Sequence, residues 1–180
     1  TLICTTDDLF DSLEWHKVLA EDDTFEVKVL PAWRPDKAMN IEKPEYLDYL
    51  KTLSDVSGIT VNSFASLMDA LRSRMEFFAS MGCCVSDHAL EYVMYKPYTT
   101  EEIEKIFAKR FAGETITVDE MNKFKTAFMV SVGKEYNKLN WVMQLHYGTI
   151  RDNNVLRYNQ LGPDTGYDCI NTYSSSAEMA

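Results

Sequence analysis

The stretch Ser63-Phe64-Ala65-Ser66-Leu67-Met68-Asp69-Ala70-Leu71-Arg72-Ser73-Arg74-Met75-Glu76-Phe77-Phe78, closed by Gly82 and followed by Cys83-Cys84-Val85-Ser86-Asp87-His88, carries the pattern from which the fold is read. Phe64, Met68, Leu71, Met75 and Phe78 recur at alternating intervals of four and three residues, which places them on one face of a helix. Gly82 stops that helix. Cys83-Cys84-Val85 then reads as a short buried strand that ends in the polar Ser86-Asp87-His88. One helix feeding one short apolar strand with a polar end is half of a βαβ repeat.

Outward from this unit the same order recurs. Leu2-Ile3-Cys4 reads as a short strand ending in Thr5-Thr6-Asp7-Asp8, whose oxygens are expected to cap a helix running from Leu9 to about Ala20. Phe25 to Trp33 alternates and is β-branched at its centre, so it reads as a strand ending in Arg34-Pro35-Asp36-Lys37. A helix is expected from about Pro44 to Val56, with Pro in its first turn. Downstream, Thr99-x-x-Glu102 and Thr117-x-x-Glu120 are two capping boxes, each ahead of a helically spaced apolar run. Trp141 to Gly148 reads as the next strand, and Gly162-Pro163-Asp164 as a turn. Strand and helix alternate four times, with two extra helices before the last strand. Such alternation predicts parallel strands with right-handed crossovers, in an α/β fold whose strands are covered on both faces. A doubly wound sheet and a (β/α)8 TIM barrel both fit. No Gly-x-Gly-x-x-Gly follows a strand, so a dinucleotide fold has no support.

The 180 residues correspond to about one domain. With 18 basic against 28 acidic side chains, the chain carries a formal charge of −10. That disfavours nucleic acid and anionic membrane surfaces as partners, because both need a basic face. A few Arg in a pocket can still bind a small anion. No apolar run reaches the length of a membrane span, and no signal peptide is visible at Thr1-Leu2-Ile3-Cys4. Cys4, Cys83, Cys84 and Cys169 lack C-x-x-C spacing, so reduced thiols in the cytoplasm are expected. The chain opens inside an apolar run without an initiator Met, and a piece of a longer protein is expected.

In parallel α/β folds the site lies at the C-terminal ends of the strands. Those ends here are Thr5-Thr6-Asp7-Asp8, Arg34-Pro35-Asp36, Ser86-Asp87-His88, and Gln144-Leu145-His146-Tyr147-Gly148 with Arg151 close behind. Arg34 offers a planar fork for a carboxylate or phosphate, or else simply pairs with Asp36 or another carboxylate. Asp87 and His88 should point to opposite faces of their strand. Asp87 reads equally as a helix cap or salt-bridge partner, and His88 as a satisfied structural His. His146 is raised above an ordinary His only by its place at a strand end. Arg151 is within reach of the same rim, or is a surface Arg. A metal needs three or four converging ligands, and spacing alone supplies fewer. The residues themselves therefore leave open a rim site that is metal-assisted or anion-binding.

The strings Cys4-Thr5-Thr6-Asp7-Asp8, Trp33-Arg34-Pro35-Asp36-Lys37-Ala38-Met39-Asn40, Gly82-Cys83 with Ser86-Asp87-His88, Trp141 to Gly148 with Arg151, and Leu161-Gly162-Pro163-Asp164-Thr165-Gly166 occur in this order along the chain. With them the whole sequence resembles the uronate (glucuronate) isomerase family of the amidohydrolase superfamily. Tyr147 replaces a smaller aliphatic residue and Cys84 a variable position of that family. The resemblance implies a (β/α)8 barrel of which residues 1–180 form one partial domain, about strands two to five, with a helical insertion at about residues 97–139. It implies that a His-x-His metal motif precedes Thr1 and that a metal-binding, proton-transferring Asp follows Ala180. It also implies the reversible isomerisation of D-glucuronate to D-fructuronate, and of D-galacturonate to D-tagaturonate, through a cis-enediol. By the same resemblance Arg34 and Arg151 bind substrate, Asp87 and His146 serve in catalysis, and His146 is also a ligand of a divalent metal, zinc, in the complete protein. The segment alone is then expected to be inactive, and its open strand edges to pair with another copy or with the remainder of the barrel. Two other functions stay open beside this one: a metal-dependent hydrolase of the same superfamily, and a non-catalytic uronate-binding half.

Overall fold

The computed structural model describes residues 1–163, 165–173, 175 and 178. The turn residue Asp164 lies outside the described residues. The chain divides into two compact units, one of residues 1–88 and 96–144, the other of residues 89–95 and 145–180.

In chain order the elements are β1 (Leu2–Cys4), β2 (Asp7–Asp8), α1 (Glu14–Glu21), β3 (Lys28–Leu30), β4 (Trp33–Arg34), α2 (Asp36–Met39), α3 (Tyr46–Ser57), α4 (Phe64–Ser80) and β5 (Val85–Leu90). They continue as α5 (Thr100–Phe111), α6 (Val118–Leu139), β6 (Val142–Tyr147), β7 (Thr149–Ile150), α7 (Val155–Leu161) and β8 (Cys169–Ile170). The strands of the larger unit pair in parallel where the alternation predicts it. β1 runs beside β3 and β2 beside β4, with the same 26-residue offset between partners. Thr5 and Asp7 bridge the two ladders by donating to Leu30 and Ala32 carbonyls at 3.0 Å. β1 with β2, and β3 with β4, are thus two long strands, each interrupted once. Pro31 supplies the interruption in the second, since it has no N–H to give a ladder. The second sheet has the order β2-β4-β5-β6.

Two expectations are corrected here. Thr5-Thr6-Asp7-Asp8 does not cap a helix but continues the strand, because Asp7 and Asp8 pair with Trp33 and Arg34. The helix begins only at Glu14, after Leu13 turns through a left-handed φ of 52° with no side-chain cap bond. Leu9 and Leu13 are fully buried, so their spacing reflects two loop anchors rather than a helix face. Within these 180 residues β1 is exposed at every residue and β6 at most of them.

The helices follow local chemistry closely. Thr99 and Thr117 form the expected capping boxes with Glu102 and Glu120, and Ser63 forms a third with Ser66. α4 buries Met68, Leu71, Met75 and Phe78, ending before Gly82 at a φ of 85°. A Cβ on Gly82 would stand 3.0 Å from Leu30 Cδ2, so only glycine lets α4 turn back beneath β3. Two aromatic clusters make the core. Phe64, Phe107, Phe128 and Tyr46 surround Phe124 between the helices. Trp33, Phe78, Tyr136 and Trp141 close the space behind β4 and β5.

Candidate functional site

The Trp-Arg-Pro-Asp string sets the geometry of the site. Pro35 biases Arg34 to an extended backbone and cannot continue the ladder itself, so β4 ends on Arg34. α2 starts at once, with Asp36 in its first turn. This places the two side chains at one strand end, and Arg34 Nε donates to Asp36 Oδ2 at 2.9 Å. The neighbouring β5 does not stop at Ser86 as the sequence suggested. It runs to Leu90, carrying Asp87 and His88 inside the strand. Asp87 Oδ2 accepts from Arg34 Nη1 at 3.3 Å and from Thr6 Oγ1 at 3.5 Å. Asp87 is therefore a salt-bridge partner and not a helix cap.

The guanidinium so held is about one-third exposed, while Asp36 and Asp87 are 13% and 8% exposed. Charge-assisted bonds that it donates to the half-buried Asp36 and the buried Asp87 fix its plane. Arg34 thus makes the expected pair with Asp36 while its side chain stays about one-third exposed.

His88 lies on the other face of β5, fully buried, with Nε2 3.1 Å from the Tyr136 hydroxyl of α6. Burial pushes its imidazole down to about 4, and the Arg34 charge adds to the shift. It is neutral at physiological pH. Burial also raises the Tyr136 phenol well above its ordinary range, keeping it protonated. Further along the rim Asp8 pairs with Lys37 at 2.8 Å and accepts from Tyr49 at 3.1 Å. Tyr49 is likewise pushed up, first by burial and then by the Asp8 charge.

Of the four expected site residues, the structure brings Arg34 and Asp87 together. His146 and Arg151 belong to the smaller unit. His146 is exposed near the end of β6. Arg151 follows β7 and pairs with Asp168 at 2.7 Å. Sequence reasoning gave Asp36 only a pairing part, His88 a structural one and Thr6 a helix cap, and it gave Tyr136 none. Their signal lay in position only, two residues after the strand-end Arg and one after the strand-end Asp. Tyr136 carried no signal at all, being one apolar position among many on α6.

Among the described residues no group of three or more His, Cys, Asp or Glu side chains could hold a metal ion. The donors present do not make a metal centre, and His146 could be at most one ligand of several. Among the described residues no helix is long and apolar enough to cross a membrane.

Comparison with known proteins follows the same lines. The family model for glucuronate isomerase matches residues 1–180. The uronate isomerase of Lachnospira eligens is 83% identical over 180 residues, all of this chain and 38% of that protein. That of Lachnoclostridium phytofermentans is 74% identical over 178 residues, again 38% of its length. The crystal structure of uronate isomerase from Thermotoga maritima superposes with a TM-score of 0.93 at 34% identity, over 99% of this chain and 40% of that one. Glucuronate isomerase from Caulobacter crescentus gives 0.89 at 25% identity, over 99% and 37%. The chain thus spans well under half the length of the relatives it matches. A family model satisfied from end to end, with the same fold in solved relatives, shows that this chain belongs to the glucuronate isomerase family.

Proposed function

We propose that the whole protein containing this chain is a uronate isomerase. It interconverts D-glucuronate and D-fructuronate, and D-galacturonate and D-tagaturonate, through a cis-enediol. The observation that carries this reading is the Arg34 clamp, a guanidinium at the end of β4 held by Asp36 of α2 and by the buried Asp87 of the parallel β5, and still about one-third exposed. A hexuronate differs from a neutral sugar by its permanent carboxylate, and a pre-oriented guanidinium is the group suited to bind it in a forked geometry. Membership of the family supports the same substrate class.

In this reading the chain contributes about strands two to five of a (β/α)8 barrel, as a single partial domain with α5 and α6 as a helical insertion. The exposed apolar side chains of β1, Leu2 and Ile3, are covered by the remainder of the protein. Arg34 binds the substrate carboxylate and Arg151 a substrate hydroxyl group. Isomerisation moves a proton from C2 to C1 while the O2 proton passes to O1, so it consumes no oxidant. Negative charge builds on O1 in the enediol, and cationic or donor groups at the rim stabilise it. His146 donates to a substrate oxygen or joins a divalent metal, zinc, whose other ligands lie outside these residues. Asp87, committed to Arg34 and Thr6, orients the site rather than moving the proton. The protein works in the cytoplasm.

The test is a coupled assay of the whole protein with D-glucuronate and D-galacturonate. Wild type should convert both. Arg34→Ala should lose at least a hundredfold in kcat/KM, about 3 kcal/mol of transition-state stabilisation. Full activity in that variant removes Arg34 from the site. Ester or amide hydrolysis without uronate turnover would favour a hydrolase, and uronate binding without turnover a non-catalytic protein.

A further inference from the structure

Arg34 is backed by a line of polar side chains, the half-buried Asp36 and the buried His88 and Tyr136. The Tyr136 hydroxyl stands 3.1 Å from His88 Nε2, His88 Nδ1 3.8 Å from Asp36 Oδ1, and Asp36 Oδ2 2.9 Å from Arg34 Nε. The line crosses from α6 through β5 and α2 to the end of β4. Its directions are set by chemistry. His88 Nδ1 faces Asp36 Oδ1 beyond hydrogen-bond distance, and a proton on Nδ1 turns the positive side of the ring dipole towards that carboxylate. Nε2 then accepts from the Tyr136 O–H. Among the described residues Arg34 donates through Nε and Nη1, and its Nη2 meets no protein acceptor.

We propose that Asp36 and His88 are positioning residues for Arg34, holding its Nε edge so that Nη2 and the outer face of the guanidinium meet the substrate carboxylate. This rests on the uronate isomerase reading above. A purely structural role explains the arrangement poorly. A buried ion pair adds little stability over well-packed apolar side chains, and here the aromatic core beneath Trp33 could supply those. What a buried carboxylate against Nε does supply is a fixed fork. An Arg otherwise free at its last torsions loses rotamer freedom when substrate binds, and the clamp removes that loss beforehand. Asp87 holds the Nη1 corner, so Asp36 and Asp87 together leave the Nη2 N–H donors for the ligand.

The experiment measures kcat and KM for D-glucuronate on the whole protein, with a thermal melt of every variant. Asp36→Ala should raise KM at least tenfold and leave kcat within threefold, because the carboxylate it helps to bind is remote from C1 and C2. Asp36→Asn keeps an acceptor for Nε and should stay within threefold of wild type in KM. His88→Asn keeps a donor near the Nδ1 position and should behave likewise, whereas His88→Leu should match Asp36→Ala. An unchanged KM in Asp36→Ala overturns the proposal, as does a loss confined to kcat, which would place Asp36 in the chemistry itself. If Asp36→Ala fails to fold, the pair His88→Asn and His88→Leu decides, and equal KM values in those two overturn it. If the wild type shows no uronate turnover, the function fails but the positioning role is still read, by calorimetry with D-glucuronate. Tenfold weaker binding in Asp36→Ala supports it, and unchanged or undetectable wild-type binding overturns it.

Discussion

Two arginines expected to hold the same substrate sit in opposite surroundings. Arg34 ends a strand of the larger unit between Asp36 and Asp87, both nearly buried, with His88 and Tyr136 behind them. Arg151 follows a two-residue strand of the smaller unit and pairs with Asp168, its own side chain 53% exposed. A charge pair in high dielectric contributes 0 to about 1 kcal/mol, and a buried network removes the freedom of every member. The larger unit therefore holds its arginine in one orientation, and the smaller one leaves its arginine more rotamer freedom. The difference lies in what packs beneath each strand end. Below Arg34 lies the cluster of Trp33, Phe78, Tyr136 and Trp141, whereas the three described helical and strand segments of the smaller unit after β6, namely β7, α7 and β8, bury no residue fully.

The largest effect that this contrast predicts is a pH dependence located in the buried network. His88 is held near 4 in the fold and returns to about 6.5 when unfolded. The unfolded chain therefore binds the extra proton first. Stability from this group is complete above about pH 6.5 and is lost as pH falls towards 4. The loss reaches about 3 kcal/mol at the lower end. Melting the whole protein between pH 7.5 and 5 should show a slope that His88→Asn flattens, whatever that variant does to stability at neutral pH. Identical slopes in the two proteins would mean that His88 is not held neutral, and the contrast between the units would lose its main electrostatic support.

Removing each arginine gives the next effect. Arg34→Met takes away the cation between two carboxylates that have little water. Breaking a buried pair costs about 3–5 kcal/mol, which the partial exposure of Arg34 reduces to about 2 kcal/mol. Arg151→Met should stay within about 1 kcal/mol of wild type. Denaturant titration of the two variants side by side measures this. Equal losses would show that the rim of the smaller unit is as tightly built as that of the larger.

The same contrast explains what could be read from sequence. α4, α5 and α6 were legible because period and caps agree, as in Thr117 with Glu120. The alternation gave parallel pairing, and the resemblance of motifs gave the family. Short elements were not legible. β2 and α2 span two and four residues, too few for any period, and each exists only because a neighbour pairs with it or Pro35 starts it. The helix expected from Leu9 failed because burial of two loop leucines copies helical spacing. At the site, Arg34 and Asp87 were visible as polar residues at strand ends. The Asp36–His88–Tyr136 line was not, since it joins α2, β5 and α6, which meet only in the folded chain.

The smallest predicted effect separates the Arg151 charge from the turn that carries it. Asp168 Oδ2 accepts from Arg151 Nη1 at 2.7 Å, and its Oδ1 accepts the Asp152 N–H at 3.0 Å. Asp152 adopts a left-handed φ of 53°, a conformation that needs outside support in a non-glycine residue. Next to it the Asn153 N–H reaches the Tyr167 carbonyl at 2.8 Å, and β7 pairs antiparallel with β8. The carboxylate therefore ties the turn through a backbone bond that does not depend on Arg151. Asp168→Ala should cost about 1–2 kcal/mol locally by leaving the Asp152 N–H without that acceptor. A double-mutant cycle with Arg151→Met should give a coupling below about 1 kcal/mol. Amide exchange resolves the two contributions: protection at Asp152 and Asn153 should survive Arg151→Met and collapse in Asp168→Ala. Collapse in both would mean that the exposed ion pair itself orders the turn, and Arg151 would then be as pre-oriented as Arg34.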